Sequence, residues 1–145
     1  MPGEIIGTID YSPQNYLGEI YANTNGGILG KITENKKEFF TDKKISIAKK
    51  SEVKTGKAYL RSSISGKSKD YSIEIEKVFF HEKNSLKTLK IRVTDSELIT
   101  LTGGIIQGLS GSPILQNGKL VGAVTHVLID NPQMGYGIFA ESMLE

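Results

Sequence analysis

Short segments rich in isoleucine, valine, threonine and tyrosine, separated by glycines, constrain the fold of this chain more than any other feature. β-Branched and aromatic residues favour strands, and the 16 glycines favour turns. The clearest segment, residues 71–78 (YSIEIEKV), alternates apolar and polar residues, which is typical of a strand with one buried and one exposed face. The chain is therefore predicted to be all-β, as a sandwich or a barrel.

Turn signals bound the candidate strands. Asn117-Gly118 lies between two apolar runs and favours a two-residue type I′ hairpin, because both positions of that turn need positive φ. Asp130-Asn131-Pro132 predicts a turn after a long strand, and two short helices are predicted over residues 96–99 and 140–145. The predicted strands cover residues 4–9, 16–22, 27–32, 44–47, 56–63, 71–80, 88–92, 112–115, 119–129 and 135–139.

Composition excludes several classes of function. The 18 Lys and Arg against 16 Asp and Glu give a net charge of +2, and their scattered positions argue against a nucleic-acid partner. The lack of cysteine excludes disulfides, thiol catalysis and cysteine-based zinc sites, and two histidines are too few for a histidine-rich metal site. We therefore expect no metal and no cofactor. The run Gly66-Lys67-Ser68 is not a phosphate-binding loop, because that motif needs glycine at the position of Arg61.

The run GLSGSP, residues 108–113, has the pattern of a nucleophile loop. A nucleophilic serine needs an exposed Oγ on a tight turn, with backbone N–H groups nearby to hold an oxyanion. Gly108 and Gly111 allow such a turn around Ser110, and the amides of Gly108 and Ser110 are the predicted oxyanion donors. A plain β-turn is the alternative, since Gly, Ser and Pro are turn residues. Ser112 is a second candidate nucleophile, although its position before Pro113 favours an extended backbone.

The pattern of this loop and of the segments after it is similar to that of chymotrypsin-like serine peptidases. A hairpin follows the loop, then a glycine-containing strand over residues 121–127, a further loop and Gly135-Tyr136-Gly137. In that fold these last two segments line the primary specificity pocket, and the backbone of the strand pairs with an extended substrate. The resemblance thus implies that Thr125, His126, Val127, Gly135 and Tyr136 bind substrate.

A wider set of residues resembles one family, the stage IV sporulation protein B serine peptidases of endospore-forming bacteria. The resemblance is carried by residues 102–114 (TGGIIQGLSGSPI), by 116–119 (QNGK) with 122–127 (GAVTHV), and by 131–137. It covers about the last third of the chain, and the N-terminal part matches more weakly. It implies a trypsin-like β-barrel fold, with an incomplete N-terminal barrel and a complete C-terminal barrel, and a catalytic pair of Ser110 and Asp95.

The resemblance also implies a biological role. Members of the family are exported across the forespore membrane and act between the forespore and the mother cell. There they cleave a membrane-bound regulator, which triggers the processing of a sigma factor. We expect residues 1–145 to be a fragment of the peptidase domain, with a histidine-bearing segment and a PDZ domain upstream of it. An incomplete barrel would also expose strand edges that favour self-association.

The chain departs from the family at the catalytic histidine, which lies in a Gly-His-x-Ile-Ser-Asp type of motif that this sequence lacks. His81 has different neighbours, and His126 corresponds to a second histidine of the family. Without an imidazole near Ser110 nothing accepts the hydroxyl proton, so we expect this chain to be inactive or very slow. Two alternatives remain open: a non-catalytic β module that binds extended peptides, and a hydrolase that uses His126 as its base. From its residues alone, Asp95 is expected to cap the turn at 96–99.

Overall fold

The alternating segments form antiparallel strands in the computed structural model of the chain, which describes residues 6–34, 40–41, 43–82 and 85–144. The described residues divide into a smaller unit within residues 6–44 and a larger unit over residues 45–144. The smaller unit contains a short 3₁₀-helix, Pro13–Asn15, and a hairpin of β1 (Gly18–Thr24) and β2 (Gly27–Ile32). None of its described residues is buried.

The larger unit is a closed barrel of six antiparallel strands in the order β3-β4-β5-β8-β7-β6. A 3₁₀-helix, Lys50–Glu52, precedes the barrel, α1 (Ser96–Thr102) follows β5, and α2 (Ala140–Met143) follows β8. The strands are β3 (Gly56–Ser62), β4 (Lys69–Val78), β5 (Leu89–Val93), β6 (Pro113–Gln116), β7 (Lys119–Leu128) and β8 (Asn131–Phe139). The prediction of an all-β fold is confirmed.

The barrel interior contains the residues that alternation assigned to the buried face. In β4 the side chains of Tyr71, Ile73 and Ile75 are at most 1% exposed, whereas Ser72 and Glu74 between them are half-buried on the outside. β3 and β5 contribute their own buried apolar residues, and β6 and β7 close the barrel. The nucleophile loop is built on this core, between α1 and β6.

The Asn117-Gly118 hairpin is confirmed. Both residues have positive φ, 51° and 74°, and they join β6 to β7 as the type I′ turn requires. The helix predicted at residues 96–99 extends to Thr102, because Gly103 at φ 77° ends it in the left-handed conformation. The predicted C-terminal helix is α2, and residue 145 of that prediction lies outside the described residues.

Two strand predictions are wrong. Residues 44–47 contribute only an isolated parallel bridge between Ile47 and Leu120, since this segment touches the barrel at one point and then turns into the 3₁₀-helix. Residues 6–9 of the predicted strand 4–9 are not in a strand, and residues 4 and 5 lie outside the described residues. Neither described helix is long and apolar enough to cross a bilayer.

Candidate active site

The nucleophile loop between α1 and β6 is anchored to the barrel core by apolar side chains. Ile105 and Leu109 are 1% and 4% exposed, so the loop is held to the core before its glycine turn and at the residue where the turn begins. The Ser112 N–H donates to the Leu109 carbonyl at 3.0 Å, which closes a turn around the two residues between them. Because Leu109 points inward at this turn, Ser110 lies exposed at its outside.

The glycines on either side of Ser110 adopt the conformations that the turn requires. Gly108 has φ 99° and Gly111 has φ 89°, values that residues with a Cβ rarely adopt. The Gly111 N–H donates to the Val124 carbonyl at 2.7 Å, which fixes the loop against β7. Within the part of the chain that the structure describes, the N–H groups of Gly108 and Ser110 have no protein acceptor. They are therefore free to bind a carbonyl oxygen.

The Ser110 hydroxyl rests against β7. Its Oγ donates to the main-chain carbonyl of Thr125 at 3.2 Å. Thr125 is the extra residue of a β-bulge, because Val124 and His126 pair with the consecutive residues Gly137 and Tyr136 of β8. The bulge directs the Thr125 carbonyl away from the β8 ladder and towards Ser110.

The second half of β7 has one unpaired edge in the described structure. β6 pairs with β7 only as far as Ala123, and the nucleophile loop then occupies the edge through its bonds to Val124. Beyond Thr125, β7 pairs with β8 on one side alone. Such an edge is a template for an added strand.

A hydrogen-bond chain fixes His126 beside this edge. The Thr125 Oγ1 donates to the Leu86 carbonyl at 2.6 Å and lies 2.9 Å from His126 Nδ1. A threonine hydroxyl has one proton, and the carbonyl can only accept, so Nδ1 must be the donor to Oγ1. The geometry therefore assigns the proton of the neutral ring to Nδ1 and leaves a lone pair on Nε2.

Neither histidine is hydrogen-bonded to Ser110 in the described structure. His126 contacts Thr125, and His81 lies exposed in the turn after β4. Among the residues that the structure describes, the Ser110 hydroxyl therefore has a carbonyl as its partner and no general base. The described residues also contain no group of three or more side chains that could hold a metal ion.

Asp95 is the N-cap of α1. Its Oδ1 accepts from the N–H groups of Glu97 at 3.0 Å and Leu98 at 3.1 Å, and its Oδ2 accepts from the Ser72 N–H at 3.1 Å. Burial acts to raise the pKa of this carboxyl, but the Ser72, Leu98 and Glu97 amides, together with the Lys69 ammonium, hold the pKa below its ordinary value. Asp95 forms no hydrogen bond with Ser110 or with either histidine among the described residues, and its catalytic role stays a prediction.

Gly135 and Tyr136 lie on β8 next to the same part of β7. Gly135 is opposite Val127, and a Cβ on it would lie 2.6 Å from both the His126 carbonyl oxygen and Ile105 Cδ1, so only glycine allows this approach of β8. Tyr136 is opposite His126. The structure thus brings five of the predicted substrate-binding and nucleophile residues together along the second half of β7, with the side chain of Val127 packed against the core: Ser110, Thr125, His126, Val127 and Tyr136.

Sequence reasoning missed the segment before β5. Leu86 accepts the Thr125 hydroxyl bond, and Lys87 Nζ lies 5.3 Å from the centroid of the Tyr136 ring. Leu86 is 39 positions from Thr125 and Lys87 is 49 positions from Tyr136, separations over which no local pattern predicts a contact.

Comparisons with known proteins agree with this architecture. The crystal structure of the Rv3671c protease from M. tuberculosis, in its active form, superposes with a TM-score of 0.61 at 16% sequence identity. The match covers 92% of this chain and 59% of that one, so the chain spans less than two thirds of the neighbour. At this identity the likeness shows the fold, which is the predicted trypsin-like β-barrel. A search of curated proteins found no significant match. The family model described as SpoIVB peptidase S55 matches residues 1–144.

Proposed function

This chain belongs to the SpoIVB peptidase S55 family, and from that premise we propose that it contributes the nucleophile and the substrate-binding strand of a serine endopeptidase. The observation that carries the proposal is Ser110, exposed at a glycine turn where the N–H groups of Gly108 and Ser110 have no acceptor among the described residues. This is the arrangement that acyl transfer needs, since the nucleophile and the oxyanion donors must face the same carbonyl.

The open edge of β7 supports a direction for the substrate. β7 passes Ser110 at Thr125 and then runs away from it. A peptide that pairs antiparallel with β7 therefore approaches Ser110 with its C-terminal end and presents the carbonyl of its last paired residue to the nucleophile. The N–H of that residue would donate to the Thr125 carbonyl, and Val127 would pair two residues further back.

The chemistry follows from this placement. Ser110 Oγ attacks the scissile carbonyl carbon while a base takes its proton, and the amides of Gly108 and Ser110 hold the oxyanion. The base returns the proton to the leaving amine, and water then hydrolyses the acyl-enzyme by the same two steps. The primary specificity pocket would be lined by Thr125, Val127 and Gly135.

The base in this scheme is the histidine of the family motif that this sequence lacks. Neither His126 nor His81 is bonded to Ser110, which supports the proposal that this chain alone is slow or inactive. Asp95 would then act by holding the α1 end of the nucleophile loop, as its three backbone contacts suggest, instead of orienting the base.

The family name and the resemblance support a role in sporulation signalling. The substrate would be a membrane-bound regulator whose cleavage triggers sigma-factor processing. The protein would act after export, in the space between the forespore and the mother cell, joined through upstream segments to the membrane.

A labelling experiment tests the nucleophile. The chain is incubated with a fluorophosphonate, with and without added imidazole as a soluble base, and intact mass is measured against time for the wild type, Ser110→Ala and Ser112→Ala. We expect slow labelling that imidazole accelerates, that disappears in Ser110→Ala and that persists in Ser112→Ala. Equal labelling of wild type and Ser110→Ala would refute Ser110 as the nucleophile.

The same experiment separates the two alternatives. A non-catalytic peptide-binding module, favoured by the open β7 edge and by the lack of a base, predicts no labelling even with imidazole. A hydrolase that uses His126 predicts rapid labelling without imidazole, which His126→Ala abolishes.

A further inference from the structure

Three side chains next to the open edge of β7 have no part in the proposed chemistry. His126 and Tyr136 are directly opposed on β7 and β8, so their side chains lie on the same face of the sheet. Lys87, from the segment before β5, places its Nζ 5.3 Å from the centroid of the Tyr136 ring. The Thr125–Leu86 hydrogen bond holds that segment against β7. The cluster is therefore built from three separate parts of the barrel.

Lys87 supplies an uncompensated positive charge at this cluster. It is exposed and forms no ion pair with the described residues, whereas Lys90, on the other side of Tyr136, lies 4.0 Å from the Glu76 carboxylate. Arg92 on this face is paired with both Glu74 and Glu76, and Lys77, opposite Lys90, is exposed and stacks on the Phe79 ring at 4.9 Å. Of the two lysines next to Tyr136, Lys87 is thus the one that has no acidic partner in the described structure.

His126 can turn its free nitrogen into a donor without breaking its contact. Because Nδ1 already donates to Thr125 Oγ1, protonation adds a proton on Nε2 and leaves the Nδ1 bond in place. His126 and Lys87 can therefore both donate to one acidic group, with the Tyr136 hydroxyl as a further donor.

We infer that His126, Tyr136 and Lys87 form a subsite that selects an acidic side chain, glutamate above all. The substrate residue that it selects is the one immediately before the residue at the scissile bond. The inference rests on the proposed function, which places an antiparallel peptide on β7. When the residue at the scissile bond pairs with Thr125, the residue before it lies opposite His126 and directs its side chain to the same face. Glutamate has the length to reach past His126 towards Lys87, while a lysine there would meet a like charge.

Product-type peptides test the subsite on the chain as it exists. Acetylated four-residue peptides with a free C-terminal carboxylate are titrated into ¹⁵N-labelled protein, with Glu, Gln, Lys or Leu at the penultimate position. The carboxylate fixes the register, because it occupies the amides of Gly108 and Ser110. Shifts of the Thr125 and Val127 amide signals report strand pairing, and the titration gives the affinity of each peptide.

We expect the Glu peptide to bind about two- to fivefold more tightly than the Gln peptide, the range of an exposed ion pair, and the Lys peptide to bind weakest. Lys87→Gln should reduce the difference between Glu and Gln to the part that His126 supplies, and Lys87→Glu should make Lys the preferred residue. Lys57→Gln is the matched control, because Lys57 is also exposed and also stacks on a tyrosine, Tyr59, at 5.5 Å. It should leave the preference intact.

The outcomes separate the subsite from the function on which it rests. Equal affinity of the Glu and Gln peptides, with clear shifts at Thr125 and Val127, would overturn the acidic subsite and keep the peptide-binding strand. Tightest binding of the Leu peptide would replace it with an apolar subsite on the two rings. If no peptide shifts these amides, both the strand pairing and the subsite are refuted.

Discussion

Replacing Asp95 tests whether this residue holds the structure or assists the chemistry. The side chain joins β4 to the start of α1, since it accepts from Ser72 on one oxygen and from Glu97 and Leu98 on the other. Both backbone groups of Ser72 are hydrogen-bonded, because its carbonyl also accepts the N–H groups of Thr94 and Asp95 at 3.0 Å. Loss of the carboxylate therefore loosens both the helix start and its attachment to the barrel.

The two substitutions of Asp95 should differ in size. Asparagine keeps an acceptor for the helix amides and is a good N-cap, but it turns an N–H donor towards the Ser72 N–H, so that charge-assisted bond is lost at a cost of about 1.5–3 kcal/mol. Alanine also loses the cap, which adds about 1 kcal/mol. We expect the free energy of unfolding to fall by about 2 kcal/mol in Asp95→Asn and by about 3 kcal/mol in Asp95→Ala.

The pH dependence follows from the lowered pKa of Asp95. A carboxyl whose pKa is lower in the folded protein contributes stability that is complete above its unfolded pKa, about 3.9, and is lost as the pH falls through the folded value. Wild type should therefore lose stability relative to Asp95→Asn below about pH 4, and the two should converge in acid.

Urea unfolding followed by circular dichroism, at neutral pH and at several values below pH 4, measures these differences. Asp130→Asn is the matched control, because Asp130 lies exposed in the turn between β7 and β8. The same proteins are labelled with fluorophosphonate in the presence of imidazole. An Asp95→Asn protein with wild-type stability but no Ser110 labelling would contradict the structural role and restore Asp95 to the catalytic set.

Three further substitutions probe the parts of the barrel that position the site, each measured by urea unfolding. Thr88→Val should lower the free energy of unfolding by about 1–3 kcal/mol, because the buried Thr88 hydroxyl accepts from the Phe139 N–H at 3.1 Å and valine leaves that amide unpaired. A stability within about 0.5 kcal/mol of wild type, the effect of a surface substitution, would contradict this. Gly135→Ala should lower the free energy of unfolding by about 1–3 kcal/mol and shift the Thr125 amide signal in the NMR spectrum, since its Cβ would lie 2.6 Å from the His126 carbonyl oxygen. An unchanged spectrum would show that β8 moves without disturbing β7. Gly118→Ala should cost about 1–2 kcal/mol through its positive φ alone, and a larger loss would indicate contacts beyond the turn.

The parts of the fold that follow from local rules could be predicted from the sequence. The β4 alternation and the Asn117-Gly118 turn are fixed by side-chain period and by φ preference, and both appear where expected. The segment 44–47 has strand-like composition, but a strand also needs a partner along its length, and β7 offers it one residue. Sequence composition does not report the partner, which is why this prediction is wrong.

The candidate site also contains some features that the local sequence predicts and others that it does not. The glycine turn around Ser110 follows from residue types, because few other sequences allow two positive-φ positions around a serine. The bulge at Thr125 and the contact of Lys87 with Tyr136 depend on how β7, β8 and the segment before β5 are registered, and the barrel as a whole sets that register. Asp95 shows the reverse case, since its local sequence predicts a cap and the structure adds the Ser72 contact from another strand.

The arrangement of the loop explains why the proposed nucleophile, Ser110, can be in place before any base is present. Leu109 and Ile105 anchor the loop through the barrel core, and the Gly111 bond to Val124 ties it to β7, so none of these contacts involves a histidine. A base accepts the proton of the Ser110 hydroxyl, but it does not create the turn or the free amides. The labelling experiment with imidazole follows from that separation, because a soluble base can replace the missing proton acceptor only where the rest of the site is already formed.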